Sequence, residues 1–270
     1  MSLTYCVLGS GSSGNCLWIR GGGVQLLVDC GLSARQICLR LEQVGASIED
    51  VQAVVCTHGH GDHVAGASVL ARRHGLDVWT TSGARRFLPT NIPDEKLHLL
   101  PLGGRVAFGG LSFETVQIPH DSPESVAFVV GDADTRLGIV TDLGVVPAAV
   151  IKAFSELDGL VLEMNHDEQM LADGPYPPRL KRRIRGNYGH LSNGQGAELL
   201  RQLLHPGLQR LTLAHISEHN NTPDLARVAA EKVLEYGPAK TALSIGEHDR
   251  PGEPIELKGR GRRQLRLPFA

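Results

Sequence analysis

The sequence predicts an α/β protein in which two β-sheets pack face to face and carry helices on their outer sides. Three observations lead there. Short β-branched runs bounded by glycines fill the first half, further strand signals alternate with helices in the second, and several strands end on a lone His or Asp.

Taken in order, residues 3–8, 16–20 and 24–29 read as strands separated by glycine turns. A helix over 33–44 follows, with Ser33 as N-cap, Ile37, Leu41 and Val44 on one face, and Gly45 as its stop. Residues 51–56 form a buried strand, 64–74 a helix and 77–80 a strand. Further strands are expected over 105–108, 111–118, 125–130, 136–141, 159–163, 208–213 and 240–244. Between them, Ser192 with Gln195 makes a capping box, and Thr222 with Pro223 opens a helix that stops at Gly237. No linker or short repeat divides the chain. One domain is expected over 1–250, followed by a basic C-terminal tail over 251–270.

The composition excludes several classes. A net charge of −2 over 270 residues makes no global case for nucleic acid. Five cysteines without C-x-x-C spacing fit reduced thiols better than a disulfide framework. No run reaches membrane-spanning length, and the start lacks a secretory pattern, so a soluble cytoplasmic protein is expected. The sequence is silent on oligomeric state.

The most informative segment is THGHGDH, Thr57 to His63. It packs His58, His60, Asp62 and His63 into six residues at a strand exit, and the flanking glycines let the backbone curl round a cation. His120, Asp142 and His215 repeat the strand-then-ligand grammar, after residues 116–119, 137–141 and 211–214. Imidazoles with short carboxylates suit borderline divalent ions: zinc or manganese first, iron next. The GSGSSG run from Gly9 to Gly14 matches a dinucleotide-binding pattern, but a strand and hairpin follow where that motif needs a helix. No nucleotide cofactor is expected. The glycines instead predict a tight turn beside the metal cleft, with Ser12, Ser13 and Asn15 available to substrate.

The order His-x-His-x-Asp-His, His, Asp, His resembles the metallo-β-lactamase-fold hydrolases, whose four-layer αββα sandwich holds its metals at one sheet edge. The resemblance implies that His58, His60 and His120 bind one ion, and that Asp62, His63 and His215 bind the other. It further implies that Asp142 bridges them with a hydroxide between, and that Asp29 orders the ligand loop. Four further motifs (LGSGSSGNC from Leu8, LVLEMNHD from Leu160, GHLSN from Gly189 and LAHISEHNNTP from Leu213) are similar to those of the WalJ/YycJ (VicX)-like group, viewed as DNA exonucleases. Gly59, Gly61, Met164 and His219 depart from that group's usual residues without removing a ligand.

The resemblance makes Asp62, Glu163 and His190 the catalytic candidates. In the similar tRNA 3′-processing ribonucleases, a Glu orients a downstream His that donates a proton to the leaving alkoxide, and Glu163 and His190 occupy matching positions. Independently, a carboxylate ending an apolar strand needs a partner, and His190 precedes a helix start that suits a phosphate oxygen. Asn165, Arg182 and Arg183 are expected substrate contacts, the arginines within five cations between Arg179 and Arg185. The function expected is a binuclear metal-dependent phosphodiesterase on DNA, 5′-to-3′ exonuclease-like. A thioester, lactone or cyclic phosphodiester hydrolase on the same fold is the alternative, since fold alone does not choose a substrate.

Overall fold

Successive residues of the first strand face two different cores, which is why its sequence is apolar without alternation. In the computed structural model, which describes residues 2–238 and 240–260, Leu3, Tyr5 and Val7 point between the sheets, whereas Cys6 and Leu8 point outward under helices. The first sheet contains β1 (Leu3–Gly9), β2 (Cys16–Gly21), β3 (Val24–Val28), β4 (Ala53–Val55), β5 (Asp77–Thr80) and β6 (Leu97–Leu99). The second contains β7 (Arg105–Phe108), β8 (Leu111–Gln117), β9 (Val126–Gly131), β10 (Arg136–Val140), β11 (Gly159–Glu163), β12 (Arg210–Ala214) and β13 (Ala242–Ile245). A last strand, β14 (Ile255–Leu257), closes the first sheet by pairing antiparallel with β1.

The sheets run β14-β1-β2-β3-β4-β5-β6 and β13-β12-β11-β10-β9-β8-β7. Pairing is antiparallel from β14 to β3 and from β7 to β10, and parallel elsewhere. Phe113 and Phe128 meet Ile19 and Leu26 in the core between the sheets, and Tyr5 Oη lies 3.0 Å from Thr212 Oγ1 across it.

Helices α1 (Ala34–Gln43), α2 (Gly61–Val64), α3 (Ala67–His74) and α4 (Ser82–Arg85) accompany the first sheet. The second is accompanied by α5 (Ala148–Ala153), α6 (Glu168–Asp173), α7 (Pro178–Arg185), α8 (Asn193–Leu203) and α9 (Pro223–Glu235). Helices α1 and α3 cover one outer face through Ile37, Leu41 and Leu70, and α5, α8 and α9 cover the other through Val150, Leu199 and Ala226. The result is the αββα sandwich expected. Ser33, Ser192 and Thr222 cap α1, α8 and α9, and Ser192 and Gln195 form both bonds of the capping box.

Two local expectations change, and one short strand is added. The helix expected over 64–74 is interrupted, because Gly66 donates to Cys30 O at 2.8 Å and a Cβ there would stand 2.7 Å from Leu32 O. Strand β6 carries too little periodicity in three residues to be read from sequence. Strand β14 lies inside the segment assigned to the tail, where its pairing with β1 buries Leu257 in the inter-sheet core. Of the tail cations, Arg262, Arg263 and Arg266 lie outside the described residues.

Candidate metal centre

Parallel strands deliver their carboxyl ends to one edge, and the ligand loops gather there. Asp29 follows β3, the Thr57 to His63 run follows β4, Asp142 follows β10 and His215 follows β12. Asp29, Asp142 and His215 adopt left-handed backbone conformations, with φ of 59°, 59° and 54°. Such non-glycine positions cost on the order of 1–3 kcal/mol each, and this edge holds three of them on side chains that face one another.

All seven residues expected as ligands come together. His58, His60 and His120 have ligand atoms close enough to share one ion, as do Asp62, His63 and His215. Asp142 lies between the groups: its Oδ2 is 3.1 Å from His63 Nε2, and its Oδ1 is 3.5 Å from His215 Nε2 and 3.6 Å from His120 Nε2. Asp62 Oδ2 is 3.5 Å from both His63 Nε2 and His215 Nε2.

These donors fit cations. Asp142 Oδ2 and His215 Nε2 are buried with no hydrogen-bond partner among the described residues. His60 Nδ1 faces His58 Nε2 at 3.1 Å and His120 Nε2 at 3.2 Å, and a single ring proton cannot satisfy both contacts. Burial pushes His58, His60 and His120 toward the neutral form that binds metal. For His63 burial acts the same way, but Asp142 and Asp29 outweigh it and hold the imidazole well above its ordinary range. His215 is likewise desolvated, yet Asp142, Asp62 and Glu163 raise it to about 10. Asp142 stays ionised despite burial because His215, His63 and His58 surround it. Asp62, also penalised by burial, is held below the usual carboxylate range by His215 and His63.

The outer nitrogens of the buried ligand histidines are positioned as well. His58 Nδ1 lies 2.9 Å from Thr57 Oγ1, His63 Nδ1 2.8 Å from Asp29 Oδ2, and His120 Nδ1 3.2 Å from Gly189 O. Asp29 also accepts from Thr57 N at 2.8 Å, which locks the start of the ligand run. Such partners fix tautomer and ring orientation. Glu163 serves two rings: Oε1 is 2.8 Å from His190 Nδ1 and 3.2 Å from His215 Nδ1. Its Oε2 accepts from Leu143 N at 2.9 Å and Leu191 N at 3.1 Å. Burial opposes that charge, but His190 and His215 prevail and lower its pKa to about 2.

Several expected substrate contacts are placed differently. Asn15 is buried, and its Nδ2 lies 3.0 Å from Gly11 O, 3.1 Å from His63 Nε2 and 3.4 Å from Asp62 Oδ2. Asn165 is buried as well, and donates to His215 O at 3.0 Å. Both amides are held inside the scaffold of the ligand loops, because a buried amide must satisfy its donors internally. Ser12 stays exposed on the turn, while Ser13 Oγ sits 2.9 Å from Glu218 Oε1 and within hydrogen-bonding distance of the His248 ring. Arg182 is exposed on α7, whereas Arg183 is ion-paired with Asp121. Asp121 and His248 had escaped the sequence reading. The position of Asp121 directly after His120 is a usable signal; for His248 there is none.

With the geometry in hand, comparison with known proteins defines the class. Residues 25–216 match the beta-lactamase superfamily domain, so the chain belongs to the metallo-β-lactamase-fold superfamily and is a metal-dependent hydrolase. Within it the chain falls in the WalJ/YycJ-like branch. It is 34% identical to exodeoxyribonuclease YycJ of Bacillus anthracis, over 96% of this chain and 99% of that one. To exodeoxyribonuclease WalJ of Streptococcus pneumoniae serotype 2 it is 32% identical, over 90% of each. The fold also matches the metallo-β-lactamase fold protein YhfI of Bacillus subtilis, with a TM-score of 0.70 at 16% identity over 95% of this chain and all of that one.

Proposed function

We propose that this protein is a DNA exonuclease acting 5′-to-3′, with two divalent cations held by His58, His60, Asp62, His63, His120, Asp142 and His215. Cations in that cluster would polarise the scissile phosphate and lower the pKa of water, with zinc or manganese favoured by an all-nitrogen and oxygen donor set. The observation that carries the reading is the Glu163–His190 pair, 2.8 Å apart at the rim of the cluster. A hydrolase of thioesters or lactones has less need of a second, partly exposed imidazole held by a buried carboxylate.

Glu163 orients the ring through Nδ1, and Nε2 has no hydrogen bond among the described residues. That nitrogen carries a proton to the departing 3′-oxygen. General acid help of this kind contributes roughly 10²–10⁴-fold. Helix α7 supplies the approach for a polymer: Arg179, Lys181, Arg182 and Arg185 sit on the segment that leads into His190. Phosphate contacts of this type carry affinity without sequence preference. Asp62 acts within the cluster, where its carboxylate faces both His63 and His215. Among the described residues no helix is long and apolar enough to cross a membrane. The five free cysteines and a DNA substrate together support a cytoplasmic setting.

The test is digestion of end-labelled single- and double-stranded DNA with manganese, zinc or magnesium, beside Asp142→Ala and His190→Ala. Stepwise nucleotide release is expected from the wild type. It should disappear with Asp142→Ala and slow by at least about 100-fold with His190→Ala, which should retain metal. No cleavage with any metal would overturn the DNA reading and point to a thioester, lactone or cyclic nucleotide.

A further inference from the structure

Asp121 is outside both triads of candidate ligands, yet its Oδ1 meets the centre at two histidines, 3.4 Å from His60 Nε2 and 3.5 Å from His120 Nε2, and His60 is the one whose orientation is otherwise unexplained. His60 presents Nδ1 to His58 and His120, so its Nε2 is the outward nitrogen. His58, His63, His120 and His215 each have an outward partner in Thr57, Asp29, Gly189 and Glu163. Among the described residues, the group facing His60 Nε2 is Asp121 Oδ1, at 3.4 Å. The other carboxylate oxygen, Oδ2, accepts from Arg183 Nε, a side chain of the basic helix α7.

We infer that Asp121 is the positioning carboxylate of His60, and that Arg183 holds Asp121 in place rather than contacting substrate. His60 needs such a hold more than its neighbours do. Its side chain is 32% exposed, it lies between Gly59 and Gly61, and a Cβ at Gly61 would touch nothing within 4 Å. The ring packs edge-on against His58 and His120, and the remaining hold on its orientation is the contact at Nε2. A carboxylate on the outer nitrogen fixes the tautomer and makes the inward nitrogen a better donor.

An exposed ion pair alone would be worth little, but this one is anchored by backbone. Asp121 N donates to Tyr188 O at 3.1 Å, and Gly189 O faces His120 Nδ1 at 3.2 Å. The segment after α7 thus braces His120 and Asp121 side by side. Among the described residues nothing comparable fixes Arg182, which remains an exposed cation for the approaching polymer. Adjacent arginines on one helix therefore serve different purposes: Arg183 points its charge at the metal centre, and Arg182 offers its charge to solvent.

The experiment is zinc titration of the metal-free, full-length protein against a chromophoric chelator, with no DNA present, so it stands apart from the choice of substrate. Asp121→Asn should weaken one of the two zinc sites roughly 10- to 100-fold and leave the other unchanged. Arg183→Ala should weaken the same site by less, and Arg183→Lys should restore part of that loss. The double variant should bind no more weakly than Asp121→Asn alone, because Arg183 acts through Asp121. Arg182→Ala should keep wild-type zinc affinity. Equal melting temperatures of the metal-free variants would separate a positioning effect from misfolding. Wild-type zinc affinity in Asp121→Asn, or losses that multiply in the double variant, would overturn the inference. Failure of the wild-type protein to bind zinc would overturn it together with the metal centre.

Discussion

Gly31→Ala should damage the metal centre more than its chemistry suggests. Gly31 contributes no side chain, yet it is where the turn after β3 passes beneath the ligand loop. A Cβ built there would stand 1.6 Å from Asp62 O, 2.2 Å from Asp62 C and 2.8 Å from Asn15 N. Real Cβ atoms essentially never approach within 3.0 Å, so the two backbones must part by at least the 1.4 Å difference. All three atoms are backbone, so no side chain can swing aside. The movement would strain or break Gly31 N to Asn15 O and Asn15 N to Asp62 O, both 2.8 Å. Overpacking of this kind costs about 1–3 kcal/mol, and each lost hydrogen bond about 0.5–1.5 kcal/mol more. Asp62 would leave His63 and His215 by more than an ångström, and a displacement of about 1 Å can cost about 100-fold in rate. The assay measures melting temperature, metal content by mass spectrometry and DNA cleavage for Gly31→Ala beside Gly61→Ala. Gly61 lies in the same loop with open space at its Cβ, so alanine should be tolerated there. Full metal content and turnover within twofold of wild type in Gly31→Ala would refute the packing argument.

Three further outcomes are expected. Loading the metal-free protein near neutral pH should release about two protons from the ligand imidazoles, because His63 and His215 are held charged while His58, His60 and His120 are held neutral, and about one more from the water that ionises between the ions. Calorimetry in buffers of different ionisation enthalpy reads the sum, and a value near zero would contradict it. Glu163→Gln should lower turnover and weaken zinc binding through His215. The native carboxylate is depressed to about 2, so its contribution to stability is fully present above pH 4.5 and lost as pH falls through about 2. Melting temperatures of wild type and Glu163→Gln should therefore converge in strong acid, and a gap that widens on acidification would exclude this account. Tyr5→Phe should cost about 0.5–1.5 kcal/mol by urea denaturation, since Thr212 keeps its 2.9 Å contact with Ser244; a neutral result would mean the bond between the sheets contributes nothing.

What the sequence disclosed and what it withheld follow from the range of the forces involved. The ligands were legible because each one either closes a buried strand or sits in the dense run after β4, and a polar residue there must face a loop. Helix caps were legible for the same local reason, since Ser192 and Gln195 satisfy one another within a single turn. The roles of Asn15 and Asn165 were not, because an amide beside a glycine turn or strand end looks the same whether it meets substrate or a neighbouring loop. Each is buried by another loop at the edge of its own sheet, Asn15 against His63 after β4 and Asn165 against His215 after β12. Strand β14 was hidden because three residues carry no period, and its register with β1 depends on a partner some 250 positions away. The sharpest case is Arg182 beside Arg183. Both are arginines in one basic run, and no property of that run separates them. The distinction arises because the helix turns about 100° per residue, which brings one guanidinium to Asp121 in the loop after β8 and leaves its neighbour in solvent. Charge patterning could announce a basic helix, but the division of labour along it belongs to the tertiary structure.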